Sequence, residues 1–258
     1  MEREGFVSQV LDEVERRQIW VQRLLFLLLL GLFVGLLGLF FFLSESVAAE
    51  GGRFILFCYD VTGSTDGGDR LENERGLIRA LDSLKPGDEG QIMLITENTF
   101  SKPEDVIRFK MPGEAGYFNE EIRMRKIQII REFRQKIEKI RKSRAGTSLI
   151  DGMFMFTRLL NEHQGKRRIL VIFSDMRQCL PGMNEDTIMT RGEEILSSLR
   201  GDGLIPDMRG IEVYCRGVST ANFSLKAWKK LEEFWRSYFS MAGATLKCYD
   251  MGRTRQID

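Results

Sequence analysis

Apolar residues fall along this chain in two rhythms. Short, nearly continuous runs recur at RFILFCYD (53–60), QIMLITEN (91–98), EDVIRFKM (104–111), RRILVIFSD (167–175), IEVYCRGV (211–218) and ATLKCYDM (244–251). Runs of this length that are apolar at successive positions predict strands covered on both faces. Between them the spacing changes to three and four. Leu71, Leu77, Ile78, Leu81 and Leu84 return at helical intervals and stop at KPGDEG. Further helices are expected over about 119 to 143, 148 to 162 and 187 to 199, with a last one whose inner face carries Trp228, Leu231, Trp235 and Tyr238. Strands alternating with helices predict an α/β sandwich, a central and mostly parallel sheet flanked by helices. Ligands of such sheets bind at the carboxyl ends of the strands.

The amino-terminal part follows neither rhythm. Residues 24–43, LLFLLLLGLFVGLLGLFFFL, are uncharged and apolar throughout, and about 20 such residues cross the hydrocarbon core of a bilayer as a helix. SVAA at 46–49 offers small residues for a signal peptidase. The apolar run is nevertheless longer than the roughly 7 to 15 residues of a signal peptide, and a polar segment precedes it. An uncleaved anchor is expected. Arg3, Arg16, Arg17 and Arg23 precede it, whereas Arg53 alone follows closely, which places the amino terminus in the cytoplasm and the folded domain outside it. Gly31 and Gly35 form a small-residue pair through which two spans can approach as a homodimer. The expected organisation is a cytoplasmic segment (1–23), a span (24–43), a linker (44–52), one folded domain (53–251) and a tail (252–258).

Composition narrows the partners. The 258 residues carry 38 Lys and Arg against 37 Asp and Glu, so no overall charge favours nucleic acid. The basic excess is local: positions 119–144 hold ten Lys or Arg against four Glu, a solvated helix face or a dock for an acidic partner or anionic headgroups. Four cysteines (Cys58, Cys179, Cys215, Cys248) lack the C-x-x-C spacing of zinc and thioredoxin-like motifs. Disulfides and buried thiols both remain open for them. The single histidine, His163, has no nucleophile near it in sequence and reads as a surface loop residue.

Three polar clusters fall at strand ends or in neighbouring loops: Asp60-x-Thr62-x-Ser64, Thr147 in RAGTSLIDG, and Ser174-Asp175. Carboxylates and hydroxyls without nitrogen or sulfur suit a hard divalent cation such as magnesium. Helix and turn capping is the simpler reading of each cluster alone, and Ser148 with Asp151 resembles a capping pair. Capping does not account for all three at one sheet edge.

Together these residues resemble the von Willebrand factor A (vWA) domain with its metal-ion-dependent adhesion site, D-x-S-x-S after the first strand, a threonine in a later loop and an aspartate after the fourth strand. Asp60, Ser64, Thr147 and Asp175 match, and Thr62 replaces the usual serine. The resemblance covers roughly residues 53 to 251. It implies a Rossmann-like vWA sandwich in which Thr62, Ser64 and Thr147 contact Mg2+, or Mn2+ or Ca2+ in its place. Asp60 and Asp175 would act through bound water. It also implies a protein partner that offers a carboxylate to the metal, and no catalysis. DVTGS is similar as well to the phosphorylation motif of haloacid-dehalogenase-type phosphotransferases, with Asp60 as nucleophile. Thr62 stands where those enzymes place their general acid, and no G-D-x-x-x-D pair follows.

Overall fold

Six strands order themselves β3-β2-β1-β4-β5-β6 in one sheet. In chain order the elements are β1 (Arg53–Asp60), α1 (Gly67–Asp82), β2 (Glu89–Ile95), β3 (Val106–Lys110), α2 (Glu120–Lys139), α3 (Leu149–Asn161), β4 (Arg167–Phe173), α4 (Glu185–Gly201), β5 (Ile211–Arg216), α5 (Leu225–Met241) and β6 (Thr245–Asp250). The structure is a computed structural model and describes residues 52–61, 67–95, 106–114, 119–139, 149–177, 185–218 and 224–250. The chain divides into two compact units, Met1–Glu50 and Gly51–Asp258. All described residues belong to the second. Among them no helix is long and apolar enough to cross a membrane. The expected span at 24–43, with Gly31 and Gly35, lies outside the described residues.

Both faces of the sheet are covered, which is why its strands read as unbroken apolar runs. Along β1, Phe54, Leu56 and Cys58 join one core with Leu149, Met153 and Phe156 of α3, Ile188 and Leu196 of α4 and Trp235 of α5. Ile55, Phe57 and Tyr59 join a second core with Leu77 and Leu81 of α1 and Ile129, Phe133 and Ile137 of α2. The twofold alternation of a strand thus divides one sequence run between two apolar layers. Leu71, expected on the inner face of its helix, is instead 47% exposed. Asn73 takes an inward position in that turn and is 2% exposed.

β1 pairs in parallel with β2 and β4, and β4, β5 and β6 continue in parallel, whereas β3 runs antiparallel to β2. That reversal redirects the chain. β3 ends at the amino edge, so α2 begins there and climbs. The Arg125 Nε donates to the Lys110 carbonyl at 3.4 Å, and Lys126 near the start of α2 reaches the Asp82 carbonyl at the end of α1. Arg70 near the start of α1 reaches the Ile137 carbonyl near the end of α2 at 3.4 Å. α2 therefore finishes at the carboxyl edge, and α3 descends from it towards the amino end of β4.

At the amino edge a buried ion pair fixes the first residue of the sheet. Arg53 Nε donates to Asp88 Oδ1 at 3.0 Å and Nη2 to Oδ2 at 2.6 Å. Nη2 also reaches the Ser83 carbonyl at 3.2 Å, and the Lys85 backbone N–H donates to Asp88 Oδ2 at 2.6 Å. The guanidinium and carboxylate are 8% and 3% exposed, so the two charges compensate each other without help from solvent.

Glu89 sits beside this pair and takes Lys110 Nζ on one oxygen and Lys166 Nζ on the other, each at 2.7 Å. The hydrogen bond from Lys110, then that from Lys166, holds its carboxyl down to about 2. An unfolded glutamate takes up its proton near 4.5, so this contribution is complete above that pH and is lost as pH falls towards 2. Because the Lys110 end is largely exposed, Glu89→Gln should cost about 1 kcal/mol at neutral pH. It should also flatten the acid limb of stability against pH. Urea melts between pH 2 and 5 check this, and parallel curves for the two proteins would contradict it.

Candidate functional site

The carboxyl ends of the two central strands bring two acidic side chains together. Asp60 closes β1 and Asp175 follows β4 by two residues, and they are 0% and 1% exposed. β1 and β4 run in register with Tyr59 opposite Phe173, which sets Ser174 beside Asp60. Ser174 Oγ donates to Asp60 Oδ2 at 2.7 Å and accepts the Met176 N–H at 3.1 Å. One hydroxyl therefore ties the end of β1 to the turn after β4. Asp175 Oδ1 accepts the Arg177 N–H at 3.0 Å, with the Arg177 Nε 3.7 Å from Oδ2.

The turn itself is held from below. Met176 takes a left-handed backbone conformation, φ 60°, which costs a residue with a β-carbon of order 1 to 3 kcal/mol and persists where the surroundings enforce it. Its side chain is fully buried in the core of α3 to α5. Its carbonyl accepts the indole N–H of Trp235 at 2.9 Å. Trp235 lies in an aromatic cluster with Phe234, Tyr238 and Phe239, ring centres 5.5 to 5.8 Å apart. The helical spacing of α5 places Trp235 in the core, as the sequence predicts. Its second role, anchoring the turn that carries Asp175, has no signal in the sequence.

Of the five residues expected at a metal, Asp60 and Asp175 are brought to one edge. Thr62, Ser64 and Thr147 lie outside the described residues. The described positions that bracket them are nonetheless informative: Val61 leaves β1 and Gly67 opens α1, while Lys139 ends α2 and Leu149 opens α3, all at the carboxyl edge. Among the described residues no group of three or more His, Cys, Asp or Glu is placed to hold a metal ion. The oxygen donors shown at this edge are two buried carboxylates and the Ser174 hydroxyl bonded to one of them, Asp60. Oxygen donors of this kind fit a hard cation, and the Arg177 guanidinium is the positive charge shown beside Asp175.

Nothing here favours an aspartyl nucleophile. Asp60 is fully buried, and its Oδ2 is engaged by Ser174. Among the described residues Cys58, Cys215 and Cys248 are not joined in a disulfide, and burial pushes Cys58 and Cys215 up. Cys215 and Cys248 stand on adjacent strands but belong to opposite faces of the sheet. His163 is not a bare surface residue, since its ring stacks on Phe54 with centres 3.6 Å apart.

No family model matches the sequence, and no curated protein matches it. Among solved structures, similarity extends to an aerotolerance-related membrane protein of Bacteroides fragilis at 15% identity and TM-score 0.36, covering 64% of this chain and 67% of that one. It extends to the SpRpn10 VWA domain at 12% identity and TM-score 0.38, covering 77% and 88%. It also extends to the manganese-loaded TRAP protein of Plasmodium vivax at 10% identity and TM-score 0.39, covering 74% and 63%. Superposition at this level leaves any assignment to the topology and residues of this chain.

Proposed function

We propose that the chain is a membrane-anchored, vWA-like domain that binds a divalent cation and through it grips a protein partner. The observation that supports this reading is the pair of buried carboxylates, Asp60 and Asp175, at the ends of adjacent central strands, with Ser174 joining Asp60 to the turn that carries Asp175. Thr62, Ser64 and Thr147 would supply hydroxyls to magnesium, or to manganese or calcium in its place, and the two aspartates would act through its waters. Holding the carboxylates one layer back leaves the cation electrophilic enough to take a carboxylate from the partner. The span at 24–43 would fix the domain to the membrane on its extracytoplasmic side, with Gly31 and Gly35 available for pairing of spans.

Asp60→Ala and Thr147→Ala should each weaken magnesium binding at least tenfold by calorimetry and abolish magnesium-dependent capture of the partner from membranes. Unchanged affinity in both variants would sink the cation site. Phosphatase turnover lost in Asp60→Ala alone would favour the phosphotransferase. Capture that persists in chelator would leave any metal a structural role.

A further inference from the structure

The basic residues of α2 divide between two settings. Arg134 gives its Nε to Glu74 of α1 at 3.1 Å, an ion pair within the domain. Arg123 and Lys126, one turn apart near the start of the helix, instead line a cleft of about 430 Å³ together with Lys85 of the turn between α1 and β2. Leu84 and Ile122, 3% and 7% exposed, give this cleft an apolar floor. Among the described residues Asp82 is the one acidic side chain that lines it, and the Asp82 carbonyl accepts from Lys126. Glu120 stands 3.9 Å from Arg123, and both are so exposed that water screens the pair.

The position of the cleft selects its occupant. It lies at the amino edge of the sheet, where α1 ends and β2 and α2 begin, and β1 enters at that same edge. Residues 44–52 alone separate the apolar run at 24–43 from Arg53, and a stretch of that length reaches about 30 Å at most. A bilayer crossed by that run is therefore within reach of this edge. Met124 and Ile127 lie in the same two turns of α2 and are 55% and 41% exposed. Apolar side chains set among basic ones suit the boundary between headgroups and acyl chains. An apolar floor rimmed by three cations matches the charge and amphipathic character of an anionic phospholipid headgroup.

We propose that this cleft seats the phosphate of an anionic phospholipid, with Lys85, Arg123 and Lys126 around it, and that Met124 and Ile127 enter the bilayer surface beside it. The domain then lies with its amino edge on the lipid, and the opposite edge, with Asp60 and Asp175, is left open to a partner. This placement rests on the membrane anchor of the function proposed above and not on its cation site.

Hydrogen exchange over residues 119–127 tests this, in the full chain reconstituted into phosphatidylcholine vesicles with and without phosphatidylglycerol. A cation at an anionic surface is worth about fivefold in partition, so exchange at the start of α2 should slow at least about fivefold in the anionic vesicles and recover in high salt. The triple variant Lys85→Gln, Arg123→Gln and Lys126→Gln should exchange alike in both vesicles. Lys85→Gln alone, which leaves the tie from Lys126 to α1 intact, should lose part of the slowing. Equal exchange of the wild-type chain in both vesicles, or slowing that the triple variant keeps, would overturn the lipid site while the chain still floats with the vesicles in a density gradient. A chain that does not float has no anchor, and the anchor and the lipid site then fall together. Soluble glycerol phosphate that slows exchange equally in neutral vesicles would overturn the bilayer as the source of the phosphate.

Discussion

Asp88→Ala is expected to destabilise the domain by about 3 to 5 kcal/mol, because it leaves the Arg53 guanidinium charged and buried without its carboxylate. Arg53→Met alone should be costly for the converse reason, stranding Asp88, although the Lys85 N–H would still reach it. The double variant Arg53→Met with Asp88→Leu removes both charges together. It should recover most of the loss, since apolar residues of similar volume replace buried ion pairs at little cost. Chemical denaturation of the three proteins forms the test. A double variant as unstable as Asp88→Ala would mean that the fold depends on the ion pair itself and not on charge balance.

Trp235→Ala should cost a similar 3 to 5 kcal/mol by emptying the centre of the α5 layer. Trp235→Phe separates the two roles of the side chain. It keeps most of the ring volume and removes the N–H that holds the Met176 carbonyl, a loss of about 1 to 3 kcal/mol for an acceptor left buried. The turn of Ser174 to Met176 should then relax, and magnesium affinity should fall more than in a core variant of equal stability such as Leu160→Ala. If the two variants bind magnesium alike, Trp235 only fills space.

Where side-chain type alone determines an outcome, the sequence sufficed. RFILFCYD and RRILVIF read as buried strands and form β1 and β4, whereas their adjacency at the middle of the sheet has no signal in the sequence. Direction is a different matter. β3, VIRFK, carries no residue that distinguishes parallel from antiparallel pairing, since the choice is made by the backbone ladder to β2 and by the path of α2. That choice brings the end of α2 to the edge that holds Asp60. The acidic candidates were legible because carboxylates at strand ends are conspicuous. The burial of Arg216 was not, for an arginine ending a strand ordinarily reaches water. The Arg53 to Asp88 pair was hidden for the same reason. It joins a strand start to a turn 35 residues away, and KPGDEG reads completely as a turn without it.

β1 carries Arg53 at one end and Asp60 at the other, and it is bonded along its length to β2 on one side and β4 on the other. A pull between the two ends of β1 would therefore run along a single central strand. To yield, that strand must slide past two parallel ladders at once, breaking their hydrogen bonds together and not one after another as an edge strand peels.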